Sequence, residues 1–282
     1  MPSYSLSVIV SPEIKDLVIT NGYTFGMNGC TEEVIETGIK MVCYYSSLAS
    51  LTAAQQDLLR LFPYMSTDVL EIPDQDWNAK WKASMRAALV APGIWVSPVW
   101  LAPPLSQGDH WIKIEPKTAF GTGHHATTRL AARGLTSLRR KLPSGFSLLD
   151  IGTGTGVLCF VAERCRAGFS IGIDNDPVCA ENLAENRLNN PSPFAGGFVI
   201  GALETFKPRP FFDCVIMNML QIESQPLLSG VFRLLKSPGY LIWSGILIEE
   251  KSNVILDASQ KGFALYEEKT EDEWWCGAFV KK

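Results

Sequence analysis

The chain lacks the marks of several protein classes. Its seven cysteines, at 30, 43, 159, 165, 179, 214 and 276, form no CxxC pair and are odd in number. Neither a zinc ribbon nor a disulfide framework fits that arrangement, and a reducing compartment is expected. Several lie in apolar runs such as Val157-Leu158-Cys159-Phe160, where a thiol behaves as a small hydrophobe. No apolar run approaches the roughly 18 residues of a membrane span. The amino terminus shows no basic start, long apolar stretch or small-residue cleavage site. No secretory leader is therefore expected, and the cytoplasm is the default location. A basic excess is missing too: 25 Lys and Arg face 29 Asp and Glu, a formal net charge of −4. Proteins that bind naked nucleic acid usually carry a basic surface, so no direct nucleic-acid binding is expected. Internal repeats and low-complexity tracts are absent.

What remains is a chain of 282 residues, 46% hydrophobic and 19% charged. That composition excludes global disorder and suits one large α/β domain with a small companion. Residues 1–70 read as the companion. Tyr4, Leu6, Val8 and Val10 alternate with serines, the period of a half-buried strand. Ser11-Pro12-Glu13 offers a capping side chain and a proline at the first helical position, with Gly22 closing the helix. Residues 23–27 and 39–45 read as strands, and Thr52 as the cap of a helix over 52–62. A βαββαβ, ferredoxin-like α+β order satisfies this pattern.

Residues 71–92 read as a linker. Its connecting helix carries Trp77 and Trp81 four apart, on one face. Beyond it, Trp95, Trp100 and Trp111 interleave with prolines. These rings either stack on a ligand or pack a junction between domains. Residues 93–282 form the expected catalytic domain. Strands at 147–151, 169–173, 213–217 and 240–244 alternate with helices at 157–166, 177–189, 227–235 and 249–261. Two antiparallel strands, 263–268 and 274–280, close the chain. Such alternation implies a Rossmann-like, doubly wound α/β sheet.

Four motifs carry the chemistry. Leu149-Asp150-Ile151-Gly152-Thr153-Gly154-Thr155-Gly156 sits at a strand-to-helix turn, where glycines let backbone amides approach a ligand. Its GxGxG spacing differs from the GxGxxG of dinucleotide sites, which disfavours a nicotinamide-dependent oxidoreductase. Asp150 suits a cationic ligand such as the amino group of S-adenosylmethionine, or else caps the turn. Asp174, at the end of the second strand, is placed to accept both ribose hydroxyls, while Asp176 before Pro177 reads as a helix cap. Asn218 ends the strand Phe212-Asp213-Cys214-Val215-Ile216-Met217 at the carboxyl edge, where its carbonyl can accept from an amine.

Finally, Phe120-Gly121-Thr122-Gly123-His124-His125-Ala126-Thr127-Thr128 reads as a loop folding over a bound ligand, with Thr127 or Thr128 capping the next helix. The paired histidines lack HExxH spacing and a carboxylate or cysteine cluster, so no metal is expected. Phe120, Thr122, Thr127, Thr128, Asp150, Gly152, Gly154, Gly156, Asp174 and Asn218 are the candidate cofactor contacts.

The set FGTGHHATT, LDIGTGTG, GIDNDP, FDCVIMN and SGIL is similar to the PrmA family, the methyltransferases of large-subunit ribosomal protein eleven. The resemblance runs from about residue 76 to the end. It implies a class I methyltransferase fold, S-adenosylmethionine as cofactor, and an amino-terminal domain that recognises a basic ribosomal protein. The family's cofactor contacts fall on Thr128, Gly152, Asp174 and Asn218. One departure is that Asn218 precedes Met219-Leu220-Gln221, where the family commonly has Ile-Leu-Ala. The expected activity is N-methylation of lysine side chains or an amino terminus, by a monomer, with Asn218 positioning the amine. The alternatives are a class I N-methyltransferase acting on RNA or a small molecule, and a non-catalytic module that binds cofactor and partner.

Overall fold

A computed structural model describes residues 2–73, 82–117, 119–193 and 195–282. The chain divides into two compact units, Met1–Ser84 and Met85–Lys282. The expected connecting helix, with Trp77 and Trp81, lies outside the described residues.

In the first unit the element order is β1 Ser3–Val10, α1 Lys15–Thr24, β2 Met27–Ile35, β3 Gly38–Tyr45, α2 Leu48–Leu61 and β4 Thr67–Ile72. The sheet runs β2-β3-β1-β4 with antiparallel pairs throughout. Leu6, Val8 and Val10 pack with Met41, Cys43 and Tyr45 against Val18, Leu51 and Leu58 of the helices, because alternate residues of a strand share one face.

Three local expectations are corrected here. Gly22 does not close α1 but is buried within it, where any side chain would run into Met27 Sδ at 2.6 Å. Gly26, at φ +82°, stands two residues after the last helical one and supplies the left-handed turn. Residues 23 and 24 are therefore helical, and the strand begins at Met27. Thr52 lies inside α2, its hydroxyl donating back to Leu48 O at 2.8 Å, and Ser47 occupies the cap position.

The second unit opens with a three-stranded sheet of β5 Ala88–Ala91, β6 Ile94–Ser97 and β7 His110–Lys113, in the order β5-β6-β7. Residues 88–91 thus belong with the carboxyl-terminal unit and not with a linker ending at 92. Helix α3, Ala126–Leu138, follows. A seven-stranded sheet then forms from β8 Ser147–Ile151, β9 Phe169–Asp174, β10 Ala195–Ile200, β11 Phe212–Asn218, β12 Leu235–Leu247, β13 Phe263–Glu271 and β14 Trp274–Lys281. The order is β10-β9-β8-β11-β12-β14-β13. The first five strands are parallel, and β14 runs antiparallel to both β12 and β13, so that β13 points the same way as the five.

Both faces of this sheet are covered, so the central strands β8 and β11 are buried along nearly their whole length and largely apolar. Leu148, Cys214, Ile216 and Ile242 face the core containing α3 and the helix α4, Val157–Arg164. Their neighbours Leu149, Val215, Met217, Leu241 and Trp243 face the other core. Strand β10 was not expected; Gly196 and Gly197 dilute its apolar pattern, and it lies at the sheet edge. From β8 the chain winds outward to β9 and β10, then returns beside β8 as β11. Ligands of open α/β sheets bind outside the strand ends at such a switch point.

Candidate active site

The crevice lies at that switch point and encloses about 720 Å³, within the roughly 300–1,000 Å³ range of small-molecule sites. Its floor is the turn after β8. Gly152 and Gly154 line it, at φ +69° and +54°, values that favour glycine. A Cβ on Gly154 would lie 2.3 Å from Phe120 O, a backbone atom. The turn and the loop over 120–125 are in fact tied together. Thr155 N–H donates to Phe120 O at 2.9 Å, and Thr155 Oγ1 donates to Gly121 O at 2.7 Å.

Asp174, ending β9, lines the same crevice. Gly154 N–H donates to its Oδ2 at 2.8 Å and Asp176 N–H to its Oδ1 at 3.0 Å. Each oxygen keeps a lone pair free, as gripping a pair of hydroxyls requires. Asp176 in turn accepts from Val178 N–H at 2.9 Å and acts as a turn cap.

Asn218, ending β11, is the third contributor. Its Nδ2 donates to Thr128 Oγ1 at 3.5 Å. Its Oδ1 is buried and has no partner within the protein. A buried acceptor left unpaired costs about 1–3 kcal/mol, a deficit that a bound donor would relieve.

Phe120, Thr127, His125 and Trp274 complete the wall. His125 is the N-cap of α3, accepting from Thr127 N–H at Nδ1. Neither Thr127 nor Thr128 is the cap; both are helical and buried. The His125 ring meets Phe120 and Trp274 edge-on, at centroid distances of 5.4 and 5.1 Å.

Other candidates lie outside the lining. Asp150 is 1% exposed, beneath the turn, and accepts from Thr153 Oγ1 at 2.6 Å. Burial pushes its carboxyl up to about 7, a shift that the Thr153 hydrogen bond opposes. Its Oδ2 is taken up by the turn, while its Oδ1 is buried with no partner within the protein. Gly156, at φ +81°, abuts the Phe198 ring and is the N-cap of α4. Thr122 faces His124, 3.3 Å from its Nδ1, while His124 Nε2 donates to Arg86 O at 2.7 Å. Thr128 acts through Asn218. His125, Met219 and Trp274 were missed as site residues. The hints were the place of His125 in the loop read as folding over a ligand and that of Trp274 at the start of a terminal strand.

The donor set fits S-adenosylmethionine: two glycine positions where a Cβ would clash, a carboxylate with free lone pairs and an orphaned amide oxygen. The fold and this crevice define a class I methyltransferase that uses S-adenosylmethionine as methyl donor. Its fold matches that of the ribosomal protein L11 methylase from Lactobacillus delbrueckii subsp. bulgaricus, with TM-score 0.63 and 21% identity over 70% of this chain and 99% of that one. The sequence pattern of Ribosomal protein L11 methyltransferase (PrmA) matches residues 9–282, and the chain belongs to that family. Among its relatives, the Ribosomal protein L11 methyltransferase of Myxococcus xanthus is 30% identical over 83% of this chain and 79% of its own length. That of Desulfosudis oleivorans is 30% identical over 93% and 91%.

Proposed function

We infer that the chain transfers methyl groups to amino groups, lysine side chains or an amino terminus, of a basic protein of the large ribosomal subunit. The observation that carries this reading is the unpaired Asn218 Oδ1 at the crevice. The names of the relatives support the choice of substrate. A net charge of −4 suits encounter with a basic protein, since opposite charge raises association rates. In this reading the enzyme works as a cytoplasmic monomer on protein and not on RNA. No helix among the described residues is long and apolar enough to cross a membrane.

When bound, S-adenosylmethionine supplies an electrophilic methyl group on a sulfonium. The chain's own residues do the positioning. Gly152 and Gly154 bring backbone close to the ligand, and Asp174 holds the ribose hydroxyls. The nucleophile must be neutral, yet a lysine with pKa about 10.4 is so in only about one molecule in 2,500 at pH 7. Burial of the amine in the crevice disfavours its ammonium form. Asn218 Oδ1 accepts one amine N–H and leaves the lone pair directed into the crevice. Orientation of this kind contributes up to about 7–11 kcal/mol in ideal cases. Water takes the proton.

The test is intact-mass spectrometry of purified ribosomal proteins after incubation with enzyme and S-adenosylmethionine, with ribosomal RNA in a parallel reaction. Mass gains in steps of one methyl on a large-subunit protein are expected. Methylated RNA and unchanged protein would refute the reading.

A further inference from the structure

One arginine of α3, Arg129, connects the crevice wall to the terminal hairpin, and a second, Arg133, pairs with the hairpin alone. Arg129 Nε donates to Glu271 Oε1 at 2.7 Å, and its Nη1 donates to the carbonyl of His124. Arg133 Nη1 donates to Glu271 Oε2 at 2.8 Å. The side chains of Arg129 and Glu271 are 20% and 22% exposed, so salt screens them less than a surface pair. Glu271 ends β13 and stands opposite Trp274 across the hairpin. Trp274 lines the crevice and packs on His125. One carboxylate is therefore joined to both sides of this wall, through Arg129 to the loop and through strand register to the indole.

The other end of the loop is held independently. Phe120 and Gly121 accept from Thr155 of the glycine turn, whereas His124 is held by Arg129 of α3 and by its own bond to Arg86 O. A guanidinium can serve a carboxylate and a carbonyl together because its donors form a rigid fork. An ammonium lacks that geometry.

We propose that Glu271 is a positioning residue for the incoming amine. Acting through Arg129, it holds the loop over 120–125 against the β13–β14 hairpin and so sets the wall that faces Asn218. This rests on the functional reading above. A misplacement of about 1 Å can slow catalysis about 100-fold, and Gly152 and Asp174 stand outside this network.

Three variants of the full chain separate the roles. Glu271→Gln keeps the shape but removes the charge, Arg129→Lys keeps the charge but removes the fork, and Arg133→Gln breaks the other ion pair without touching the loop. Hydrogen exchange of the peptide over 120–125, kcat with the protein substrate, and calorimetric affinity for S-adenosylhomocysteine are measured for each. In the first two, exchange should quicken and kcat should fall by about ten-fold each, with affinity within about two-fold of wild type. Arg133→Gln should match wild type in all three. Unchanged exchange in Glu271→Gln, an equal loss in Arg133→Gln, or affinity falling in step with kcat would overturn the proposal. A wild-type chain that methylates no ribosomal protein would refute the functional reading instead, and the exchange result would then decide the loop's attachment alone.

Discussion

Replacing Gly154 by alanine puts a methyl group where the carbonyl oxygen of Phe120 already stands, 2.3 Å away. A flexible side chain could swing aside, but a backbone oxygen moves only with its loop. Two costs follow. Alanine at φ +54° is disfavoured by about 1–2 kcal/mol. Displacing Phe120 also breaks the 2.9 Å bond from Thr155 N–H, a loss of about 1 kcal/mol. The sum, about 2–3 kcal/mol, corresponds to a fall in melting temperature of roughly 5–10 °C for a domain of this size. The same shift drags Gly154 N–H from Asp174 Oδ2 and should weaken S-adenosylhomocysteine at least about ten-fold, the equivalent of 1.4 kcal/mol. Scanning calorimetry and isothermal titration report the two quantities separately. Gly197→Ala is the control, because a Cβ there meets nothing within 4 Å. A Gly154→Ala protein that melts and binds like wild type would refute the account of the turn.

Asn218→Ala should lower kcat about 100-fold while S-adenosylhomocysteine affinity, read by titration, stays within about three-fold; equal losses in both would remove the asparagine from the amine-holding role. Asp174→Ala should weaken the same ligand by about 10–100-fold, as expected for lost hydrogen bonds to a charged acceptor at about 1.5–3 kcal/mol. Asp150 adds a pH dependence. Folded, it keeps its proton up to about pH 7, whereas unfolded it releases it near pH 4. The folded state therefore binds more protons between these values, and stability should fall as pH rises from about 4 to 7, then level off. Thermal unfolding at pH 5 and pH 8 should show this fall in the wild type and a smaller one in Asp150→Asn.

Most of the carboxyl-terminal unit was legible because its strands alternate with helices and are largely apolar, as is the Cys214–Met217 run of β11. The glycine turn, Asp174 and Asn218 were readable because each ends a strand at the edge where ligands bind. Asp150 was readable as part of the turn, but its depth was not: adjacency to a glycine turn does not reveal whether a carboxylate lies above or below it. Its neighbour Thr153, whose hydroxyl it accepts, was the missed cue. Gly156 looked like part of the same ligand turn, but the ring that fills its space, Phe198, comes from a distant strand. His125 and Trp274 join the wall through a contact between residues far apart in sequence, which spacing cannot disclose. In the amino-terminal unit the βαββαβ element order was readable, whereas the end of α1 and the span of β2 were not. Gly22 resembles a helix terminator until its packing on Met27 is seen.

A crystal of the enzyme soaked in S-adenosylhomocysteine tests the central claim most directly. The account predicts the ribose hydroxyls on Asp174, the ligand backbone along Gly152 and Gly154, and Asn218 Oδ1 facing the space vacated by the methyl group. Density for the ligand elsewhere, or Asn218 turned away from that space, would contradict it.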